Sequence, residues 1–296
     1  MKNNLLMRKH GKTFYWASFF LNKSNMEAIY SIYSFCRKID DMVDDAKTVH
    51  DAKRKLFAFM EAWNKGKPHP VINLLNSIPK ENWPNQKLVK NFLNGQISDI
   101  KFKSFKSEKE LIIYCYQVAG TVGLMVCDIF RVKDKKMRYF AIDLGIAMQL
   151  VNISRDVYED SVRHRIYLPE SLIGKKTAIE VANPSNETAI KIDLARKKII
   201  HLANIYFASA SQAIDHLPKG AGLAVKLASA LYQQIGYKLI KTSYKRNEKR
   251  CYVNTTSKAL ITLTILKKYL FSFKRRLKPH NKKLHKFLTT LPYSHT

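Results

Sequence analysis

Two segments of the sequence repeat one design: an apolar stripe at helical spacing on one side, and carboxylates one turn apart on the other. In the first, Ile29, Ile32, Cys36, Ile39 and Val43 recur at steps of three and four, the period of one helix face. Tyr33, Arg37, Asp40 and Asp44 step by four, three and four on a different face. In the second, Ile146, Leu150, Ile153 and Val157 make the stripe, and Gln149, Asn152, Asp156 and Asp160 the polar face, flanked by Arg155 and Glu159. Carboxylates one turn apart stand about 6 Å from each other along the axis, close enough to reach one cation or two neighbouring ones. A single acidic face is most often only solvated. Two of them with apolar backs imply helices that face each other across a hollow. Mg²⁺ suits such a hollow, because it prefers oxygen ligands and is commonly shared between a few carboxylates and substrate phosphates. The neighbouring arginines suit phosphate oxygens. The implied ligand is a diphosphate.

The rest of the chain reads as all-α. Ten glycines in 296 residues is few, and sustained alternation of period two is scarce. Residues 188–217 continue the helical pattern with Ala189, Ile192, Ala195, Ile199, Leu202 and Ile205. Proline and glycine place breaks at 64–86, 168–187 and 215–222. Apolar helical segments resume after each, so one domain over 1–296 is expected, with a basic tail from about 256. No calcium-binding EF-hand loop, Walker motif or dinucleotide fingerprint is present.

The 52 basic against 23 acidic residues give a net charge of +29, which attracts nucleic acid, anionic lipid or phosphorylated substrates. The basic residues are spread out and densest at the tail, so no nucleic-acid partner is expected. The stretch 258–287 alternates apolar clusters with lysine and arginine. It reads equally as a basic amphipathic helix on an anionic membrane or as a terminal helix packed on the domain. Cys36, Cys115, Cys127 and Cys251 form no CxxC pair, which predicts reduced thiols in the cytoplasm rather than disulfides or a zinc site. The N-terminus shows no apolar run of signal-peptide length, and no apolar stretch is expected to reach the roughly 20 residues of a membrane span. The expectation is a cytoplasmic protein, soluble or peripheral on the membrane. His10 and His164 are assigned no role.

The segments "GKTFYWASFFL", "AIYSIYSFCRKIDDMVDD", "YCYQVAGTVGLM", "DLGIAMQLVNISRDVYEDSVRHRIYLP" and "LYQQIGYKLIKTSYKRNEKRCYV" resemble, in order, segments of the squalene/phytoene synthase family. This is the head-to-head branch of the isoprenyl diphosphate synthases. The resemblance covers roughly residues 10–255, and its middle segments look most like phytoene synthases. It implies an isoprenoid synthase fold, a helical bundle around a central cavity. It further implies that Asp40 and Asp44, with Asp156 and Asp160, hold two or three Mg²⁺ ions bridged to prenyl diphosphate substrates. Lys12, Arg37, Arg155 and Arg250 match positions that contact diphosphate oxygens. Tyr33, Tyr114, Tyr167 and Tyr232 match aromatic positions lining the reaction chamber, and Gln149 and Asn152 polar ones near the second metal pair. "VAGTVGLMVCDIF" would supply apolar tunnel wall. The implied reaction joins two geranylgeranyl diphosphates into phytoene through a cyclopropylcarbinyl diphosphate. The alternatives are two farnesyl diphosphates giving presqualene diphosphate, squalene or dehydrosqualene, or a non-catalytic relative acting as an assembly factor. NADPH is not expected, and the oligomeric state stays open. Five positions depart from the family pattern: Tyr158 and His164 stand where it has glycine, Ser154 where it has leucine, and the acidic pair is replaced around Tyr237 and Lys238.

Overall fold

A computed structural model of the chain describes residues 2–245, 249–270 and 276–294. Every regular element among them is helical: α1 (Lys2–His10), α2 (Lys12–Ser18), α3 (Lys23–Asp44), α4 (Val49–Lys65), α5 (Gln86–Ile100), α6 (Glu108–Cys115), α7 (Thr121–Ile129), α8 (Lys135–Arg155), α9 (Val157–Val162), α10 (Glu170–Ile173), α11 (Ala178–Ala182), α12 (Asn186–Ile214), α13 (Lys219–Ile240) and α14 (Thr255–Leu270), with short 3₁₀ turns in the connections.

The long helices start and stop where local chemistry directs. Asn22 caps α3, its side chain accepting from Asn25 N at 2.8 Å, and Asp134 caps α8 through Lys136 N. Gly66 ends α4 in the left-handed conformation, with φ 62°. The expected stripe of α3 is buried at Ile32, Cys36, Ile39 and Val43, and that of α8 at Ile146, Leu150 and Ile153. On α12 the stripe holds at Ile192, Ala195 and Ile199 but then rotates. Ala203, Tyr206, Phe207 and Ala210 are buried, whereas Ile205 is exposed.

Helix α8 is the central rod and packs along α7, α12 and α13. A widened π-helical turn, Tyr116–Gly120, joins α6 to α7, so 108–129 runs as one rod beside α8. Their backbones meet at two glycines. A Cβ on Gly145 would stand 2.3 Å from the Ala119 carbonyl oxygen, and one on Gly123 2.4 Å from that of Ala141. Any side chain there would wedge the rods apart. The rod Glu108–Ile129 also corrects one expectation. It is long and apolar enough, by length and composition, to cross a membrane. More than half of its apolar window is buried against neighbouring helices, as a core helix requires.

The C-terminal part is packed on the bundle. Trp16 donates to Thr262 on α14 at 3.0 Å, Tyr269 donates to the Lys219 carbonyl at 2.7 Å, and Ile265 is buried. Leu260 and Leu263 remain exposed on the outer side of α14. Beyond it, Leu288 is fully buried and Tyr206 donates to the Leu284 carbonyl at 2.8 Å. Residues 271–275 of the expected amphipathic stretch, and 246–248 of the last family-like segment, lie outside the described residues.

Candidate active site

Helices α2, α3, α7, α8, α12 and α13 enclose a cavity of about 650 Å³. Its body is apolar, with Val122, Val126, Phe130, Phe140 and Ile214 among its walls. Its mouth is charged: Lys12, Arg37, Asp40, Arg155 and Arg250 all border it. Tyr33, Gln149, Asn152 and Tyr232 border it too. Gly11 lets the turn between α1 and α2 press on Tyr33, since a Cβ there would meet the ring at 2.9 Å. That contact sets Lys12 at the rim. His10, which was assigned no role, is exposed and also borders the cavity. Burial, then the charge of Arg37, lowers its pKa.

The two acidic faces share neighbours rather than touching: Asp99 acts on both Asp40 and Asp160, and Arg165 on both Asp44 and Asp160. Of the four aspartates only Asp40 lines the cavity, nor are both faces on straight helices. Helix α8 ends at Arg155, and Asp156 (φ −99°, ψ 18°) kinks the chain before α9. The expected single helix over Gln149–Asp160 is therefore bent. The bond from Asp160 N to the Asp156 carbonyl survives at 2.8 Å, and the one-turn spacing of the carboxylates with it.

The four aspartates differ in what neutralises them. Asp156 is gripped by two guanidinium groups, Arg155 at 2.7 and 2.6 Å and Arg250 at 2.9 and 3.0 Å. Burial works to raise its pKa, but these partners hold it below the usual carboxylate range. Asp44 accepts from Arg165 at 2.7 Å and from Arg163 at 2.9 Å. Asp40 and Asp160 have no ion-paired partner among the described residues. Burial, then the neighbouring Asp44 charge, pushes Asp40 up to about 8. Burial, then Asp156, pushes Asp160 well above its ordinary value. Arg37, expected to face diphosphate, lies 2.7 Å from Asp41.

Tyr114 and Tyr167 stand back from the cavity lining. Their rings stack at 5.0 Å, and both hydroxyls donate to Asp99 at 2.9 Å. Burial pushes Asp99 up to about 6, against the nearby Arg165 and these two hydroxyls. Asp99 acts electrostatically on both Asp40 and Asp160, and Arg165 on Asp160. Asp99 and Arg165 thus join the two acidic faces, and neither was among the expected site residues. Arg165 sits inside the family-like "RHRIYLP", which was its available signal. Asp99 is the lone carboxylate of α5, a helix of mixed polar and apolar residues, and offers none. His164, where the family pattern has glycine, is held at φ 60°. This left-handed residue turns the chain so that Arg163 and Arg165 both reach Asp44.

The donor set fits a hard divalent cation. Burial, then a neighbouring carboxylate, raises the pKa of two of the carboxylates, Asp40 and Asp160, and a cation placed between them would relieve both. Asn152 Oδ1 and Glu159 Oε2 are buried without a hydrogen-bond partner among the described residues, a costly state for acceptor oxygens. Oxygen ligands gathered beside arginines match Mg²⁺ shared with phosphate.

The model of the family described as "Squalene/phytoene synthase" matches residues 7–257. Phytoene synthase of an Oncidium hybrid cultivar is 29% identical over 265 residues, covering 86% of this chain and 64% of that protein. The 15-cis-phytoene synthase of Enterobacter agglomerans is 27% identical over 85% of this chain and 90% of its own length. A crystal structure of a dehydrosqualene synthase in complex with ligand aligns over 92% of this chain and 96% of its own, with TM-score 0.71 and 27% identity. The chain thus spans just under two thirds of the Oncidium protein and nearly the whole of the other two. An all-helical bundle, two converging acidic faces and a match over most of the sequence agree: the chain belongs to the squalene/phytoene synthase family, whose members are prenyltransferases.

Proposed function

We propose that this protein is a Mg²⁺-dependent prenyltransferase that joins two prenyl diphosphates head to head, and that two geranylgeranyl diphosphates become phytoene through a cyclopropylcarbinyl diphosphate. The observation that carries the reading is the polarity of one cavity: charged at its mouth, apolar along its depth. An amphiphile with a diphosphate head and a hydrocarbon tail matches both ends.

Lys12, Arg37, Arg155 and Arg250 bind diphosphate oxygens at the mouth. Asp40, Asp44, Asp156 and Asp160 would hold Mg²⁺, which when bound acts as a Lewis acid on the leaving diphosphate. Gln149 and Asn152 orient the second acidic face; Asn152 Nδ2 donates to Gln149 Oε1 at 3.1 Å, leaving its own oxygen to accept. Tyr33 and Tyr232 border the same space, and burial raises the pKa of both hydroxyls. They stay neutral and present ring faces to a developing carbocation without a nucleophilic anion. The apolar walls exclude the water that would trap it. The Tyr114–Tyr167 pair acts one layer back by fixing Asp99.

The resemblance to a dehydrosqualene synthase structure favours a second reading in which the tails are C15. Incubation with C15 and C20 diphosphates, with and without Mg²⁺ and NADPH, followed by mass analysis of the hydrocarbon, decides between them. A C40 product requiring Mg²⁺ but not NADPH is expected. A C30 product selects the second reading, and no pyrophosphate release from either substrate refutes both.

A further inference from the structure

Helix α8 carries another polar cluster, away from the mouth. Asp143 is fully buried. Its Oδ2 lies 2.7 Å from His280 Nε2 and its Oδ1 3.0 Å from His285 Nε2. Ser209 on α12 donates to Oδ2 at 2.5 Å. The two imidazole centroids are 4.5 Å apart. Both histidines belong to the C-terminal segment, outside the family-matched residues 7–257.

One carboxylate and two imidazoles thus converge in the interior, with the three ligand atoms within 4.8 Å of one another. Both rings offer Nε2, a common metal-binding nitrogen. Imidazole suits zinc better than magnesium, which demands oxygen. Zinc ligands at about 2.0–2.1 Å in tetrahedral array stand roughly 3.3 Å apart. The two nitrogen–oxygen gaps, made to different carboxylate oxygens at 2.7 and 3.0 Å, therefore widen by roughly 0.3–0.6 Å, and the other separations, all within 4.8 Å, adjust to the same spacing. Ligating carboxylates are usually held by a hydrogen-bonding neighbour, and Ser209 is placed to be one.

We propose that Asp143, His280 and His285 bind one Zn²⁺, the fourth position being taken by water. Each imidazole binds through Nε2. A proton lying between Nε2 and the carboxylate moves to Nδ1 of the same ring, or leaves to bulk water where Nδ1 already carries one, and the ion's charge neutralises the buried Asp143. The ion does not touch reacting atoms. It staples the C-terminal segment to α8 and so sets the cavity's wall. Phe140, three residues before Asp143, packs on the His280 ring at 5.0 Å and also lines the cavity. Tyr139 packs on both histidines.

The test is zinc titration of tag-free, full-length protein after EDTA dialysis, by calorimetry and elemental analysis, in excess Mg²⁺ so that the carboxylate mouth is filled. One equivalent of Zn²⁺ is expected, with a melting temperature raised by roughly 5–10 °C at a hundredfold excess over Kd. Co²⁺ in its place should show the intense visible bands of a four-coordinate site. The double variant His280→Gln, His285→Gln should lose all three signals. The proposal is overturned if the wild-type protein takes up no stoichiometric zinc under these conditions, a result that does not depend on any variant folding. It is equally overturned if the folded double variant binds zinc as the wild type does.

Discussion

Replacing Asp99 by asparagine should remove a pH dependence of stability that the wild-type chain carries between about pH 4 and pH 6. In the unfolded chain this carboxyl ionises near 3.8, and in the folded protein burial raises it to about 6. Between those values the unfolded chain has lost a proton that the folded chain keeps. The unfolded state then binds fewer protons, so stability falls as pH rises through the window. At about 1.4 kcal/mol per pH unit, the loss from this one group is about 3 kcal/mol, complete near pH 6. Asparagine does not titrate, and its carbonyl still accepts from a tyrosine hydroxyl, so the variant carries a nearly constant offset instead. The assay is urea unfolding of both proteins in EDTA at half-unit steps from pH 4 to 7, followed by helical circular dichroism. Titrating groups that Asp99 does not reach are shared and cancel in the difference, while Asp40 and Asp160, which its charge raises, add to the drop. Wild-type stability minus variant stability should drop by about 2 kcal/mol between pH 4 and pH 7, the rest of the loss lying below pH 4. Parallel curves, or a wild type that gains on the variant, would refute the placement of a buried carboxyl beneath Tyr114 and Tyr167.

Asp40→Asn and Asp160→Asn should each lower Mg²⁺-dependent pyrophosphate release by more than about 100-fold, beyond the loss typical of a residue that only supports a ligand; a Mg²⁺ titration of both variants checks this. His164→Gly should stabilise the protein by about 1 kcal/mol, because a residue with a Cβ is held at φ 60°. That corresponds to a melting temperature higher by about 2–4 °C in calorimetry. Leu260→Glu with Leu263→Glu should reduce co-sedimentation with anionic liposomes while leaving the helical spectrum unchanged, since both side chains are exposed on α14 beside its basic residues.

The sequence made the site's two halves legible because each is local. Ile32, Cys36, Ile39 and Val43 recur at the helical period, and that period fixes Asp40 and Asp44 on another face. The same holds from Ile146 to Asn152. What escaped depends on contacts between distant segments. The kink at Asp156 carries no proline or glycine to announce it. Asp99 takes its meaning from Tyr114 and Tyr167, fifteen and sixty-eight positions away, and those tyrosines look like core aromatics in isolation. Asp143, buried on α8, meets His280 and His285 from more than 130 positions away. On α12 the spacing pointed to Ile205, but packing against α8 and α13 turned the buried stripe toward Tyr206 and Phe207.

The double grip of Arg155 and Arg250 on Asp156 has a consequence for the order of events in the proposed reaction. While both guanidinium groups hold that carboxylate, it is closed to a metal ion. They release it only as they turn to another anion, and the arriving ester supplies one. Ester and ion should therefore each improve the other's binding. By linkage that help is reciprocal, so prenyl diphosphate should tighten magnesium by the same factor that magnesium tightens prenyl diphosphate.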